Sequence, residues 1–229
     1  KNGNNKNTKV KPQKIVLVTD TTYFEQFGLM VFRASNLGEN LLWYEVEHET
    51  NELYRQGIQE PLDDGWEVFA IVADGKPGLH SLFPNILFQK CQFHQCQTTT
   101  QRISKRPKLE AGKELRQIML YLAHTDKQSF EFLLSQWYEK WKYFLSEKTV
   151  NAVTKRSCFT HKRIRQAYFS FQRNLHILFT FQFHSHILEI PNTTNCLDGY
   201  FSHLKAKLNV HRGASKETQI KLISEIIFS

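Results

Sequence analysis

The chain has 229 residues, 41% hydrophobic, 13% aromatic and 23% charged, which excludes a solvating tail and allows one large domain or two small ones around a sizeable core. Lysine and arginine total 30 against 22 aspartate plus glutamate, a formal charge of +8 with a pI near 9.3, so a polyanion, nucleic acid first, is the partner to test. There is no apolar run long enough to span a bilayer and no charged-apolar-small leader, so the expectation is a soluble cytoplasmic protein without membrane attachment.

The opening KNGNNKNTKVKPQK reads as a polar linker over residues 1–14. With no initiating methionine and an end at EIIFS, the chain reads as part of a longer product. KIVLVTDTTYF follows, where the β-branched run Ile15 to Val18 predicts a buried strand with Asp20 at its exit. FGLMVFRAS and NLLWYEVEHE are two further strands with a turn at Asn36, Leu37 and Gly38 between them, giving an antiparallel meander. TNELYRQGIQEPL predicts a helix capped by Thr50 or Asn51 and stopped by Pro61. WEVFAIVADG is a second strongly apolar strand, again ending in an acid, Asp74. KPGLHSLFP and NILFQKCQFH then read as a short helix and a strand, for an order of β-β-β-α-β-α-β.

From about Gln97 the period becomes helical. Leu115, Ile118, Met119 and Leu122 form one apolar stripe; Phe130, Leu133, Leu134, Trp137, Trp141 and Phe144 form the next. Between Lys155 and Leu188 there are six basic residues and no acid, with Arg163 and Arg165 interleaved with Tyr168, Phe169 and Phe171. A solvated helix face and a nucleic-acid surface both fit that pattern. NLHILFTFQFHSHILEI reads as helix early and extended chain late. NTTNCLDGYFSHLKAKL then predicts a helix capped by Thr194 or Asn195, with Leu197, Phe201, Leu204 and Leu208 on the core stripe and Asp198, Ser202 and Lys205 on a polar one. Gly199 inside that helix costs about 1 kcal/mol against alanine, which hints at a close approach of backbone or substrate.

Two strands ending in aspartate and a later helix with an acid near its start can bring three carboxylates to one sheet edge. Hard cations take oxygen ligands, and two of them about 4 Å apart support phosphoryl transfer. Aspartate after a strand is also a common turn residue, so VTD or ADG alone is weak.

Taken together, VLVTDTTYF, IVADGKPGL, CQFHQ and IPNTTNCLDGYFSHLKAKLNVHRG resemble the catalytic region of DDE transposases of the Mutator-like group and related bacterial insertion-sequence enzymes, over roughly Ile15 to Gly213. The resemblance implies an α/β fold, a ribonuclease H-like mixed sheet with an all-helical insertion before the last catalytic helix. The expected divisions are 15–100 for the first part of the core, 101–190 for the insertion and 191–229 for the final helices. It further implies Asp20, Asp74 and Asp198 as catalytic acids holding two Mg²⁺ or Mn²⁺ ions, where most relatives carry glutamate in the third place. The implied activity is strand cleavage at transposon ends and transfer into target DNA, by a bacterial, DNA-associated homo-oligomer. An impaired or domesticated DNA-binding fragment, or a nuclease of the same fold, is the alternative.

The resemblance also implies that the C-x-x-H element, here Cys91 and His94, lies near the active site, with His94 contacting DNA or steadying the acids. Cys91, His94 and Cys96 could hold zinc, but one short cluster gives at most three ligands, so a packed strand end is preferred. Lys205, His203 and Arg212 are placed where a phosphate backbone could pass, and Arg163 and Arg165 complete the predicted DNA contacts. His184 and His186 read as packed or surface residues, Trp137 and Trp141 as core, and Cys158 and Cys196 as plain thiols.

Overall fold

The computed structural model describes residues 5–6, 11–184, 186–210 and 213–228. The first strands are β1 (Asn5–Lys6), β2 (Lys14–Tyr23), β3 (Gly28–Ala34) and β4 (Glu39–Val46). Helix α1 (Asn51–Asp63), β5 (Glu67–Ala73), a short 3₁₀ turn at Leu79–Ser81 and β6 (Leu87–Lys90) follow. They form one six-stranded sheet in the order β1-β4-β3-β2-β5-β6. β3 runs antiparallel to both β2 and β4, whereas β2, β5 and β6 are parallel. A meander followed by parallel strands added beside its first long member is the ribonuclease H-like arrangement.

β2 is central, and Ile15 through Asp20 are all buried, without the alternation of a half-solvated strand. That pattern belongs to a strand covered on both faces. α1 packs on the sheet with Tyr54, Gly57, Ile58 and Pro61 inward. Gly57 is required there, because a Cβ would stand 2.0 Å from Cζ of the fully buried Phe32 ring. Thr50 caps α1 through its side chain and the Leu53 N–H. Pro61 does not stop the helix, which continues to Asp63. So near the end its missing N–H removes a single bond, and Asp64 N–H still reaches the Glu60 carbonyl.

The chain divides into two compact units, one of residues 1–91 with 183–229 and one of residues 92–182. The second contains α2 (Gln92–Ile103), α3 (Glu110–Tyr121), α4 (Lys127–Ser146), a hairpin of β7 (Lys148–Val150) and β8 (Ser157–Phe159), and α5 (Lys162–Leu178). Its core is aromatic: Phe130, Phe171 and Phe179 meet at ring separations of 5.4 and 5.7 Å. Trp137 is buried and donates to the Ala111 carbonyl at 3.0 Å, and the half-buried Trp141 donates to Glu114.

The expected strand NILFQKCQFH stops at Lys90, and CQFHQ opens α2. The apolar residues there suit either state, and the glutamines, which favour helix, decide. The β7–β8 hairpin has no expected counterpart, since its residues are exposed apart from Phe159 and lack an alternating apolar face.

After α5 comes the short α6 (Thr180–His184), and then turns rather than the extended segment expected. The first unit closes with α7 (Asn195–Asn209) and α8 (Lys216–Ile226). Leu197, Phe201, Leu204 and Leu208 are the buried stripe of α7. A Cβ on Gly199 would meet nothing within 4 Å among the described residues, so no backbone crowds it and, of the two expected neighbours, backbone is not the one that calls for glycine there. Among the described residues no helix is long and apolar enough to cross a membrane.

Candidate active site

The parallel ladder pairs Val18 with Val72. Beyond that pair Asp20 lies within β2, which runs on to Tyr23, so the strand does not end at the acid as expected, whereas Asp74 follows directly on the last residue of β5. Asp20 is 7% exposed. Its Oδ1 accepts the Thr21 N–H at 2.8 Å and its Oδ2 accepts the Thr194 hydroxyl at 2.9 Å. Asp74 is half-buried, and its Oδ1 accepts the Lys76 N–H at 2.9 Å across a turn in which Gly75 takes φ +76°. That left-handed conformation suits glycine, and a Cβ would also strike the Lys90 stem at 2.6 Å.

Thr194 ties α7 to this face. It stands at the N-cap position, but its side chain makes no capping bond to the helix. The hydroxyl is donated to Asp20 instead, while the Thr194 N–H reaches the Cys91 sulfur at 3.3 Å. A helix end thereby gives up a local cap for a charge-assisted bond spanning 174 residues of sequence. Asp198 follows one turn later on the same side of α7. It is half-buried, and its carbonyl accepts the Ser202 hydroxyl at 2.9 Å. Glu189, the other acid near this helix, is exposed.

Tyr54, on the sheet-facing side of α1, is fully buried and makes no hydrogen bond of ordinary length through its hydroxyl. Burial raises its phenol well above the usual range, and the negative charges of Asp74, Glu49 and Asp20 raise it further. One phenol thus senses Asp20, Asp74 and a third carboxylate, Glu49, from the β4–α1 connection. Neither Glu49 nor Tyr54 is marked by any motif; Tyr54 reads only as the inward face of an amphipathic helix.

Two carboxylates on neighbouring parallel strands offer oxygen donors of the kind a hard cation takes, and magnesium is commonly held by one or two carboxylates together with substrate phosphate. Among the described residues no group of three or more His, Cys, Asp or Glu side chains is gathered to hold a metal ion. The pair therefore fits an ion shared with a substrate and does not by itself form a closed cage.

The remaining candidates are dispersed. Lys205 is exposed, with its ammonium 5.8 Å from the Phe24 ring centre, and lines a cleft of about 730 Å³ with Tyr23, Glu25 and Gln26 at the β2 end. His203 is exposed on the same helix, and Arg212, with His211, lies outside the described residues. His94 is half-buried in the first turn of α2, edge-on to Phe93. The Cys91 sulfur accepts from Thr194, and the Cys96 thiol is directed to the Met119 carbonyl. Arg163 donates to the Gln101 carbonyl at 2.7 Å, and Arg165 stacks on Phe159 and Phe169. His184 packs against Phe69, and His186 is exposed.

No protein-family model matches the sequence, and no curated protein matches it either. Among solved structures the catalytic core domain of BIV integrase is similar, at 14% identity and a TM-score of 0.29, over 70% of this chain and 97% of that one. The overlap is loose, and the fold assignment rests on the strand order and directions given above.

Proposed function

We propose that this chain is the catalytic region of a DDE-type DNA transposase, cutting DNA strands at element ends and joining them to a target. The observation that carries this reading is that Asp20 on the central β2 and Asp74 directly after its parallel neighbour β5 both act on the buried Tyr54 phenol, with α7 anchored to Asp20 through Thr194. Asp20 and Asp74 would hold Mg²⁺ or Mn²⁺ with the substrate phosphate, and Asp198, one turn beyond the anchor, is the third acid. Bound there, the metal would activate an attacking oxygen and steady a leaving one.

The chain's own contribution is positional. The Thr21 and Lys76 amides orient the two carboxylates. The Thr194 hydroxyl fixes the distance between Asp20 and the helix bearing Asp198. Lys205 and His203 are the proposed phosphate contacts along α7, and Arg212 and His94 are proposed for the same role on the sequence resemblance alone. The acting form is proposed to be a homo-oligomer on transposon and target DNA.

A second reading is a DNA-binding protein of the same fold that no longer cuts. The absence of a three-ligand group among the described residues and the engagement of both Asp20 oxygens favour it. Nicking of supercoiled plasmid in Mn²⁺ separates the two. Catalysis predicts activity in the native chain that falls at least about 10³-fold in Asp20→Asn and in Asp74→Asn, as expected when the metal clamp is lost. Undiminished nicking by either variant refutes the assignment, and a native chain that binds DNA without nicking it leaves the second reading. Asp198→Glu, which lengthens the third acid by one methylene, should raise activity if the native geometry is short of its optimum.

A further inference from the structure

The net positive charge of the protein belongs to the helical unit. Residues 92–182 contain 16 Lys plus Arg against 6 Asp plus Glu, net +10, whereas residues 1–91 with 183–229 contain 14 against 16, net −2. Within the helical unit two acid-free stretches, 102–108 and 155–173, converge on one cleft of about 440 Å³. Arg102, Arg106, Lys108, Lys162 and Arg163 all line it.

None of these five is in an ion pair with a carboxylate of the described residues. The neighbouring acids are already engaged, Glu110 by Lys113 and Glu147 by His161. The guanidiniums of Arg102 and Arg163 are held in place by neutral carbonyls, those of Gln166 and Gln101. Clustered like charges oppose folding. Burial, and after it the nearby charge of Arg173, hold the Arg102 guanidinium below its ordinary value. The N-terminus of α5 opens on the same cleft and adds to its positive field.

A second cleft, of about 460 Å³, shares Lys162 and is lined by Phe159, Arg165, Phe169 and Arg173. Its Arg165 guanidinium lies 4.1 Å from the Phe159 ring centre and 4.6 Å from that of Phe169. A cation fixed between two aromatic rings, beside unpaired cations, presents planar stacking surface next to phosphate-binding charge. Nucleic acid takes both, and lipid headgroups or acidic peptides take only the charge.

We infer that the two joined clefts at the start of α5 form a nucleic-acid backbone site, in which Arg102, Arg106, Lys108, Lys162 and Arg163 neutralise phosphates and the Phe159–Arg165–Phe169 stack receives a base or sugar face. The inference rests on the proposed function only for the class of partner. It requires no metal and no cleavage.

The test is fluorescence anisotropy of the full chain with labelled 30-nucleotide duplex and single strand, in EDTA across a salt series, so that loss of nicking activity does not enter the result. The exposed triple variant Arg106→Glu, Lys108→Glu, Lys162→Glu should bind at least about tenfold more weakly and lower the salt slope by about 2 to 3, one unit per lost phosphate contact. The control triple Lys113→Glu, Lys140→Glu, Lys142→Glu makes the same charge change at lysines already paired with acids, and should change affinity by less than about threefold. Phe159→Ala should weaken single-strand binding more than duplex binding. Equal loss in both triples, or unchanged affinity and slope in the first, overturns the site. So does tighter binding to phosphatidylserine vesicles than to either oligonucleotide that is lost in the same variant. Circular dichroism melting of each variant separates a binding defect from unfolding.

Discussion

The sheet unit and the helical unit solve different physical problems. In the first, a central strand covered on both faces carries an acid out of an apolar run, and the surrounding hydrogen bonds fix that acid in place. In the second, an aromatic core of Phe130, Phe171 and Phe179 supports a surface on which cations accumulate without matching acids. The sheet unit buries one carboxylate, Asp20, within a set of polar bonds; the helical unit leaves its charge facing outward. The contrast teaches that net charge read over a whole chain can conceal a near-neutral part bearing the candidate chemistry and a strongly basic part suited to holding a polyanion.

The sharpest way to break this comparison is to remove the helical core. Phe171→Ala empties a fully buried aromatic site and should cost about 3–5 kcal/mol, read as a lowered urea midpoint in far-ultraviolet dichroism. The comparison requires the helical signal to fall first. If strand and helix signals shift together, the two units unfold as one.

A smaller effect is expected at the anchor of α7. Thr194→Val keeps the shape but removes the donor to Asp20, and should cost about 1.5–3 kcal/mol for a bond to a charged group. Thr194→Ser should restore most of it. Equal stability of the valine and native chains would show that the bond does not hold the helix.

The smallest effect sharpens the electrostatic side. Burial, followed by the charges of Asp74, Glu49 and Asp20, raises the Tyr54 phenol. Burial likewise pushes Tyr200 up to about 12. A phenol whose folded value lies above its unfolded one contributes stability that is intact below about pH 10 and is lost as pH rises toward the folded value. Native protein should therefore lose stability above pH 10, and Tyr54→Phe should lose less of it. Because the Tyr54 hydroxyl makes no ordinary hydrogen bond, the same variant should remain within about 1 kcal/mol of native at pH 7. A larger neutral-pH loss would reveal a partner for that hydroxyl.

Much of the sheet was legible because its signals are local. The β-branched run before Asp20, the turn at Asn36 to Gly38 and the apolar stretch before Asp74 each announce strands within a few residues. Thr50 stands out as a cap for the same reason, and Thr194 takes the N-cap position without making the capping bond. Pro61 misled because a proline ends a helix only when its position removes bonds the helix needs. The CQFHQ segment misled because an apolar run this short does not separate a period of 2 from one of 3.6. The hairpin between α4 and α5 left no trace, since exposed residues carry no burial pattern.

The sequence by itself determined the type and order of the main elements, because side-chain periodicity and backbone preference act over a turn or a strand, although β2 runs three residues past its expected end at Asp20. Tertiary structure alone decided that the Thr194 hydroxyl is donated to Asp20 rather than to its own helix, and that Tyr54 senses both Asp20 and Asp74. It also decided that the cations of 102–108 meet those of 162–163. Each is a meeting of groups separated by tens of residues or more, set by strand register and helix packing, and no local pattern encodes it.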